Sequence, residues 1–450
     1  MIFQNLDELH RELDAVVIVE ENEIFVHDEA KVRELAIDNL VYSAVLSDDA
    51  QVKHMCRVYI RKLAKKMGAI SSSIHPLYEA FGKGEVHGFT VPAFNMRAMT
   101  YDVAREIFKK AVEIEAGSFF FEIARSEMGY TFQNQDEVTV VVLAAAIKEG
   151  FVGPVFLQGD HFQFKEELFR TNPQAEIDNI QLCVKDALSA GFYNIDIDSS
   201  TLVDLKKENK DEQQKDNYEM TARMTKFIRS MQPSGVMVAI GGEIGHIGGV
   251  NSTIEDFEAF MDGYLKLIEP DGLKGISKVS VQTGTSHGGT INPDGTIKKA
   301  DVDTGVLESI GKVAREKYGM GGAVQHGAST LPNEMFGEFP KVGTVEIHLA
   351  TGLQNIVIDS LPQGLKDKMY EWVKTEGAKE REEGWTDEQF LYKIRKKAIG
   401  PFKKDMWLIS EDEKEIIRAK LREELDVLFE KLNITGTAHT VRKYVGESGI

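Results

Sequence analysis

Cysteine is scarce in this chain of 450 residues, which carries only Cys56 and Cys183. Two thiols are too few for a disulfide framework or a thiolate zinc site, and this scarcity suits a reducing compartment. Positive charge is also short, because 53 Lys and Arg stand against 72 Asp and Glu, giving a formal net charge of −19. A nucleic-acid partner needs a basic face, so the composition argues against one.

Long apolar runs are absent as well. No uncharged apolar stretch reaches the roughly 18 residues that a transmembrane helix needs. The first residues, MIFQNLDELHREL, are acidic where a secretory signal has a basic start and an apolar core. We therefore expect a cytoplasmic protein with no membrane partner. The 42% apolar and 28% charged content is that of a globular protein long enough for one barrel plus appendages.

The spacing of apolar residues divides the chain into three regions. Residues 1–85 are predicted to be mostly helical, with a short hairpin around Glu21-Asn22-Glu23 and a connector at GAISSSIHP. Residues 86–360 alternate short β-rich runs with longer amphipathic segments, and we predict that they form the catalytic domain. Residues 361–450 return to long charged helices, whose apolar stripe suits either core packing or a contact with another subunit.

The alternation in the middle region predicts the fold. Strict β-then-α order indicates an α/β protein with a parallel sheet, and eight units of this size predict a (β/α)8 TIM barrel. An open, doubly wound sheet is the alternative that the pattern alone leaves. The predicted strands are GFTVPAFN, GSFFFEIA, PVFLQGD, YNIDID, VMVAIGGE, SKVSVQTG, GAVQH and TVEIHLA. The charged run at residues 201–217 is predicted to be a solvated loop or surface helix, and a lid over the barrel mouth is the alternative.

Polar side chains stand at nearly every predicted strand end. They are Asn95, Glu122 with Arg125, Asp160 with His161, Asp198, Glu243, His287, His326 and His348. The C-terminal ends of barrel strands form one mouth, where active sites are built. Three of the four histidines in this set, His161, His287 and His326, stand at glycine-bearing or short turns with carboxylates nearby. Three protein ligands and an open position make a catalytic zinc site. The turns SHGGT and HGAS add backbone N–H groups that can approach an anion.

The order of these motifs resembles the class II, zinc-dependent fructose-bisphosphate aldolases. The chain carries AFN, a DH pair, GGEIGHIGG, SHGGT and QHGAS in that order, and KKAIGPFKKDMWL resembles the C-terminal part of the longer subgroup. The resemblance covers roughly residues 86–360 and implies a glycolytic lyase that acts on a sugar phosphate. It also implies a homodimer or higher homo-oligomer.

The resemblance further implies roles for individual residues. The catalytic Zn²⁺ would be held by His161, His287 and His326, with Glu243 and Asp198 at an alternative metal position. The acid beside the first of these histidines, Asp160, would handle the proton on the substrate's C4 oxygen. Substrate would be oriented by Asn95, and its phosphate would lie against Gly288, Gly327, Ser329 and Thr351. Imidazole ligands suit other divalent metals, so cobalt, iron and manganese stay open.

Three departures from the family pattern put the substrate in doubt. The family's mobile loop carries a glutamate after the fifth strand, but Val250 and Asn251 stand there, and Glu255 is predicted to begin the next helix. The eighth strand ends at His348 in place of the family's N-x-D-T-D segment. The serine-rich turn after the second strand is replaced by EIARSEMGYT, so Arg97 and Arg125 are expected to supply the positive charge.

Three functions follow as hypotheses. The first is an aldolase that cleaves a ketose (bis)phosphate such as fructose 1,6-bisphosphate, with the basic segment from Lys396-Lys397 to Lys403-Lys404 near the distal phosphate. The second is a ketose or ketose-phosphate 4-epimerase, which cleaves, rotates and rejoins its substrate without releasing fragments. The third is a non-catalytic aldolase subunit, which the full set of three histidines and Asp160 argues against.

Overall fold

The computed structural model describes residues 1–14, 16–20, 23–245, 250–284, 292 and 302–446. The strands are β1 (Val17–Glu20), β2 (Glu23–Val26), β3 (Ala69–Ser72), β4 (Val91–Asn95), β5 (Phe120–Ala124), β6 (Gly153–Gln163), β7 (Asn194–Asp198), β8 (Ala239–Glu243), β9 (Lys278–Val281), β10 (Ala323–Gln325) and β11 (Glu346–Leu349).

The α-helices before the third barrel strand are α1 (Leu6–Asp14), α2 (Glu29–Lys31), α3 (Ile37–Leu46), α4 (Ala50–Lys66), α5 (His75–Gly82), α6 (Thr100–Glu113), α7 (Arg125–Thr131) and α8 (Gln135–Glu149). Those after it are α9 (Glu166–Thr171), α10 (Pro173–Ala190), α11 (Lys210–Met231), α12 (Ile254–Ile268), α13 (Thr304–Tyr318), α14 (Glu338–Lys341), α15 (Thr351–Ser360), α16 (Gln363–Thr375), α17 (Asp387–Ile394), α18 (Lys403–Trp407), α19 (Glu411–Lys431) and α20 (Thr437–Val445).

The parallel strands β4 to β11 close into a barrel surrounded by helices. Each strand pairs with its neighbour along the chain, and β11 returns to pair with β4. The predicted (β/α)8 barrel is therefore confirmed, and the open doubly wound sheet is wrong. Every predicted strand segment overlaps one of these eight strands.

Local sequence explains where the crossover helices begin and end. The side chain of Asn134 caps α8, and that of Asn172 caps α10, each accepting a hydrogen bond from a first-turn N–H. Both helices end at glycines, Gly150 and Gly191, whose φ angles of 71° and 97° are left-handed. Such a backbone favours glycine, so each helix stops there and the chain turns into the next strand.

The predicted connector before residue 77 is wrong, because Ala69–Ser72 forms β3. This strand pairs in parallel with Gly153–Phe156, the first half of the long strand β6. The second half of β6 pairs instead with β7. The run Ala-Ile-Ser-Ser has too few apolar residues to show strand periodicity, and the exposed edge of β6 supplies its hydrogen-bond partners. The predicted N-terminal hairpin is present as the antiparallel pair of β1 and β2.

The C-terminal helices pack on the outside of the barrel. The ring of Phe429 on α19 lies 5.7 Å from the ring of Phe94 and 6.2 Å from that of Phe119, between ring centroids. The guanidinium of Arg418 pairs with the buried carboxylate of Asp102 on α6. In the charged run at 201–217, the residues from Lys210 onward form the start of α11. Within the described residues, no helix has the length and apolarity needed to cross a bilayer.

A polar layer fills the lower interior of the barrel, and we call it the inner network. It consists of Tyr78, Gln158, Asp196, Lys278 and Glu346. The Lys278 ammonium lies 2.9 Å from an Asp196 oxygen, 2.5 Å from a Glu346 oxygen and 2.8 Å from Gln158 Oε1. The Tyr78 hydroxyl donates to Glu346. Strand β8 leaves room for this layer through Gly241, where an added Cβ would lie 2.2 Å from Asp196 Oδ1.

Candidate metal centre and substrate cavity

A cavity of about 530 Å³ opens at the C-terminal ends of the barrel strands. Its walls include the side chains of Arg97, Glu122, Arg125, Asp160, His161, Lys165, His326, Ser329, His348, Thr351, Lys393 and Lys396. Residues from several strand ends and from the C-terminal helices therefore face one space. This is the end of a (β/α)8 barrel at which active sites occur.

A β-bulge brings two consecutive residues of β6 to this cavity. Pairing with β7 slips between Gly159 and Phe162, and His161 adopts a left-handed φ of 41°. In a regular strand, neighbouring side chains point to opposite faces, so Asp160 and His161 would not both face inward. The Phe162 ring covers Gly159, where a Cβ would lie 2.4 Å from the ring. The bulge thus presents an acid and an imidazole side by side.

The metal ligands predicted on β6, β7, β8 and β10 come together. The His161 Nδ1 atom lies 3.2 Å from Asp198 Oδ2 and 3.1 Å from Glu243 Oε2. The rings of His161 and His326 are 4.2 Å apart between centroids. Ligand atoms of His161, Glu243 and His326 lie within 4.8 Å of one another. The remaining predicted metal ligand, His287, and the predicted substrate-binding residue next to it, Gly288, lie outside the described residues.

The chemistry of this group fits a divalent metal. Buried imidazole and carboxylate donors are the ligands that zinc and its neighbours in the periodic table take in proteins. His326 is already oriented, because its Nε2 is hydrogen-bonded to Ser280 Oγ at 2.8 Å. Such a partner on the second ring nitrogen is typical of metal-bound histidine.

The electrostatics of the group are those of crowded carboxylates around two imidazoles. Burial and the neighbouring Asp198 raise the pKa of Glu243 to about 7. Burial alone would lower the pKa of His161, but the carboxylates of Asp160 and Glu243 raise it well above its usual range. Burial opposes ionisation of Asp198 too, yet its bond to His161 keeps its pKa below the ordinary value. Positive charge is therefore favoured at this place.

Two residues of the mouth, Glu122 and His348, were given no role by sequence reasoning. The His348 Nδ1 atom lies 3.0 Å from Glu122 Oε2 and 3.2 Å from Asp160 Oδ1. The His348 ring stacks on that of His326 at 3.9 Å between centroids. Burial and then Asp160 raise the pKa of Glu122 to about 7. The sequence did place both residues at strand ends, which indicated that they face the mouth. Neither belongs to a motif of the family, so the resemblance implied no role for them.

The two arginines expected to bind an anion are engaged by acids of the protein. The Arg97 guanidinium lies 2.5 Å from Glu127 Oε1 and also donates to the oxygens of Asn95 and Gln354. The Arg125 guanidinium pairs with the buried carboxylate of Glu176 at 2.6 Å. Both arginines line the cavity, but part of their charge is already neutralised.

The remaining predicted substrate residues lie around the same cavity. The buried Nδ2 of Asn95 has no hydrogen-bond partner among the described residues. The Ser329 hydroxyl accepts a bond from the Ala350 N–H at 2.6 Å, and Thr351 Oγ1 is 3.4 Å from Arg97. Gly327, in the turn that follows β10, has a left-handed φ of 70°. Their roles toward a substrate stay predictions.

The basic segment of the C-terminal region divides into residues inside and outside the cavity. Lys396 lines the cavity, and its ammonium lies 5.7 Å from the Tyr130 ring centroid. Within the described residues it makes no hydrogen bond or ion pair. By contrast, Lys397 pairs with Glu380, Lys403 with Glu137 and Lys404 with Asp48. Burial and the nearby Arg97 lower the pKa of Lys396, so an anion is favoured beside it.

A parallel (β/α)8 barrel with imidazoles and carboxylates at its mouth is an arrangement that metal-assisted barrel enzymes use. The sequence model of the class-II fructose-bisphosphate aldolases matches residues 76–411. The chain belongs to that family, as its motifs predicted. A search of curated proteins found no match.

Solved structures share the fold at low sequence identity. A probable tagatose 6 phosphate kinase from Sinorhizobium meliloti aligns with a TM-score of 0.55 and 15% identity, over 80% of this chain and 100% of that one. The fructuronate-tagaturonate epimerase UxaE from Cohnella laeviribosi, complexed with one glycerol, aligns with a TM-score of 0.52 and 12% identity. The alignment covers 91% of this chain and 90% of the epimerase chain. The fructose-bisphosphate aldolase from Campylobacter jejuni aligns with a TM-score of 0.48 and 16% identity, and the alignment covers 82% of this chain and 97% of the aldolase chain.

Proposed function

We propose that the chain is a metal-dependent aldolase that reversibly cleaves a ketose (bis)phosphate, such as fructose 1,6-bisphosphate, into dihydroxyacetone phosphate and an aldehyde. The observation that carries this proposal is the group of His161, Glu243 and His326 beside Asp160, all in one barrel mouth. When bound there, a divalent metal polarises the ketose carbonyl and stabilises the negative charge left by cleavage.

The chain's own residues account for the proton transfer and for binding. The Asp160 carboxylate takes the proton from the C4 hydroxyl as the C3–C4 bond breaks, so that C4 becomes the aldehyde carbonyl and C3 keeps the electron pair. A proton from solvent then reaches C3 to give dihydroxyacetone phosphate, Asp160 releases its own proton to solvent, and condensation runs the same steps in reverse. A phosphate of the substrate lies against Lys396, whose charge has no acidic partner among the described residues. The Asn95 amide orients the sugar hydroxyls between the two.

The proposal also includes several more detailed expectations that come from membership of the family. They are Zn²⁺ as the metal, His287 as its third imidazole ligand, and phosphate contacts from Gly288, Gly327, Ser329 and Thr351. A place in glycolysis, a cytoplasmic location and a homo-oligomeric state belong to it as well. Arg97 and Arg125 hold the cavity wall and add to its positive field.

A ketose 4-epimerase is the second candidate, and the connection from β8 to α12 favours it. Residues 244–253 contain no Asp or Glu, and Glu255 lies in the first turn of α12. Without a loop acid to protonate the carbanionic fragment, cleavage is followed by rotation of the aldehyde and rejoining with inverted C4. The Cohnella laeviribosi epimerase makes fructuronate and tagaturonate suitable test substrates.

The first experiment incubates metal-replete protein with fructose 1,6-bisphosphate and measures triose phosphate. We expect release that is lost after chelation and in His326→Ala, whereas His54→Ala, at an exposed position on α4, retains it. Inverted ketose without triose, from the bisphosphate or from fructuronate, would replace the aldolase with the epimerase. Bound metal with neither product would contradict both, and a chain that binds no metal would favour the non-catalytic subunit.

A further inference from the structure

A smaller cavity, which we call the lower cavity, lies at the opposite end of the barrel from the mouth. Its volume is about 160 Å³. Two of its walls are residues 274–277 and 318–320, which precede β9 and β10, so the cavity lies at the N-terminal ends of these strands. None of its lining residues lines the cavity at the mouth. The other walls are side chains of α5 and α12, namely His75, Tyr78, Glu79, Met261, Tyr264 and Leu265.

Regular helix packing explains these two walls. On α5 the lining positions are 75, 78 and 79, and on α12 they are 261, 264 and 265. Each set has the spacing i, i+3, i+4, which places its members on one face of the helix. The loop before β9 closes on α12 at Gly275, where an added Cβ would lie 3.1 Å from Tyr264 Cε1. The walls are therefore held by two helices and a closely packed loop.

One polar side chain of the lower cavity, His75, lacks a hydrogen-bond partner. Its side chain is 5% exposed, and neither ring nitrogen makes a hydrogen bond among the described residues. Its Nε2 lies 3.5 Å from Glu79 Oε1, beyond the usual length of an N–H···O bond. Burial lowers the pKa of His75 to about 4, so the imidazole is neutral near pH 7. Buried polar groups are rarely left unsatisfied, which indicates a partner from outside the chain.

The other polar side chains of the lower cavity already have partners inside the protein. These pairs are Tyr78 with Glu346, Glu79 with Lys274, Tyr264 with Thr225, Ser277 with the Ile240 carbonyl and Tyr318 with Asp262. The remaining lining side chains are apolar, and they belong to Met261, Leu265, Ile276 and Met320. A ligand that fits these walls therefore has an apolar body and one polar group.

The charges around the lower cavity favour a neutral ligand. The Arg229 guanidinium donates to the carbonyls of Lys274 and Gly275 in the wall, at 2.8 Å and 3.2 Å, and pairs with no acid among the described residues. Its charge and that of Lys274 disfavour a cation. An anion gains little, because Glu79 already holds the Lys274 ammonium and the imidazole of His75 is neutral.

A single hydroxyl group on a flat ring matches these walls. A neutral imidazole donates through one nitrogen and accepts through the other, and a hydroxyl can satisfy either. A cavity of about 150 Å³ holds benzene, so the lower cavity has room for one ring. The rings of Tyr78, Tyr264 and Tyr318 offer surfaces against which a flat ring packs. We propose that the lower cavity binds a small neutral molecule of the phenol class, whose hydroxyl group is bound by His75.

The test titrates phenol into the full-length chain by isothermal titration calorimetry. We expect one saturable site per chain with a Kd of about 1 mM or lower, in the range for a ligand of this size. Benzene has the same ring without the hydroxyl group and should bind at least about tenfold more weakly, because the imidazole stays unsatisfied. Benzoate should also bind more weakly than phenol, because its charge is not balanced in the cavity.

Two substitutions should weaken phenol binding from opposite walls. His75→Phe removes the ring nitrogens, and Leu265→Trp fills the cavity from α12. We expect each to weaken binding by at least about tenfold. The matched variants are His54→Phe, at an exposed position on α4, and Leu267→Trp, at an exposed position on α12, and both should bind phenol as the wild type does.

Several outcomes would overturn the proposal. They are the absence of saturable phenol binding in the wild type, benzene or benzoate binding as tightly as phenol, and unchanged phenol binding in both His75→Phe and Leu265→Trp. If His75→Phe loses the wild-type circular dichroism, Leu265→Trp and the comparison of phenol with benzene decide. The titration needs neither a metal nor ketose turnover, so its failure is distinct from a failure of the proposed function.

Discussion

The lower and upper layers of the barrel interior are both polar, but their charges are handled differently. In the inner network, the Lys278 ammonium lies between Asp196 and Glu346, and Gln158 and Tyr78 complete the hydrogen bonds. In the upper layer, carboxylates face one another around histidines beside the open cavity. One layer is neutralised within the protein, and the other is arranged for ions that come from outside.

This difference shows that polar residues inside one barrel can stabilise the fold at one level and form a candidate functional site at another. Burial opposes ionisation of Glu346, but Lys278 lowers its pKa to about 2, so it stays charged. Glu122, one layer higher, has its pKa raised to about 7 by burial and by Asp160. Groups that keep a fixed charge suit a scaffold, whereas perturbed carboxylates near a cavity suit a functional site.

The largest expected effect on folding comes from removing the cation of the inner network. Lys278→Met leaves Asp196 and Glu346 as adjacent buried carboxylates, and breaking a buried ion pair in this way costs about 3–5 kcal/mol. Urea unfolding should show this loss. Lys274→Met is the matched control: its side chain is 55% exposed and pairs with Glu79, so it should cost under about 1 kcal/mol. Equal unfolding free energies for the two variants would show that the Lys278 ammonium is not needed to neutralise the inner network.

The upper layer should show the opposite balance between activity and stability. We expect Asp160→Asn to lower the turnover number by about 10²–10⁴-fold, because the general base is lost. Its unfolding free energy should stay near the wild-type value or rise, since one of several crowded carboxylates becomes neutral. Turnover and urea unfolding are measured on the same preparation, with Asp48→Asn, 98% exposed at its side chain, as control. A large loss of stability would assign Asp160 a structural role.

The smallest effect is expected at the rim, where Lys396 faces the cavity. Lys396→Ala should raise KM for a phosphorylated ketose by roughly tenfold, with little change in kcat, because a charge-assisted contact is worth about 1.5–3 kcal/mol and part of it is screened. Lys374→Ala, an exposed lysine on α16, should change neither constant. An unchanged KM in Lys396→Ala would move the anion site to another part of the cavity.

The barrel and much of its mouth could be predicted from the sequence for a simple physical reason. Parallel strands in a closed barrel bring all their C-terminal ends to one face, so the ends carrying Asp160, Asp198, Glu243 and His326 had to meet. The alternation of apolar runs was clear enough to count the strands. Neither step required knowledge of side-chain packing.

The contacts that neutralise charge could not be predicted in the same way. Arg97 and Arg125 were expected to be available to an anion, but Glu127 on α7 and Glu176 on α10 reach them. The pair of Lys278 and Glu346 joins strand starts that are 68 residues apart. Such pairings depend on strand register and on which residues point inward, and a linear pattern contains neither.

The short strand β3 has a consequence for shortening the chain. It is the parallel partner of Gly153–Phe156, a stretch of β6 that extends below the end of β7. A polypeptide beginning at residue 86 would keep every strand of the closed barrel but leave those backbone groups uncovered on one side. Uncovered strand edges recruit other strands, so such a truncation should self-associate even though it retains all eight barrel strands. The region before the barrel would in this sense protect it from its own copies.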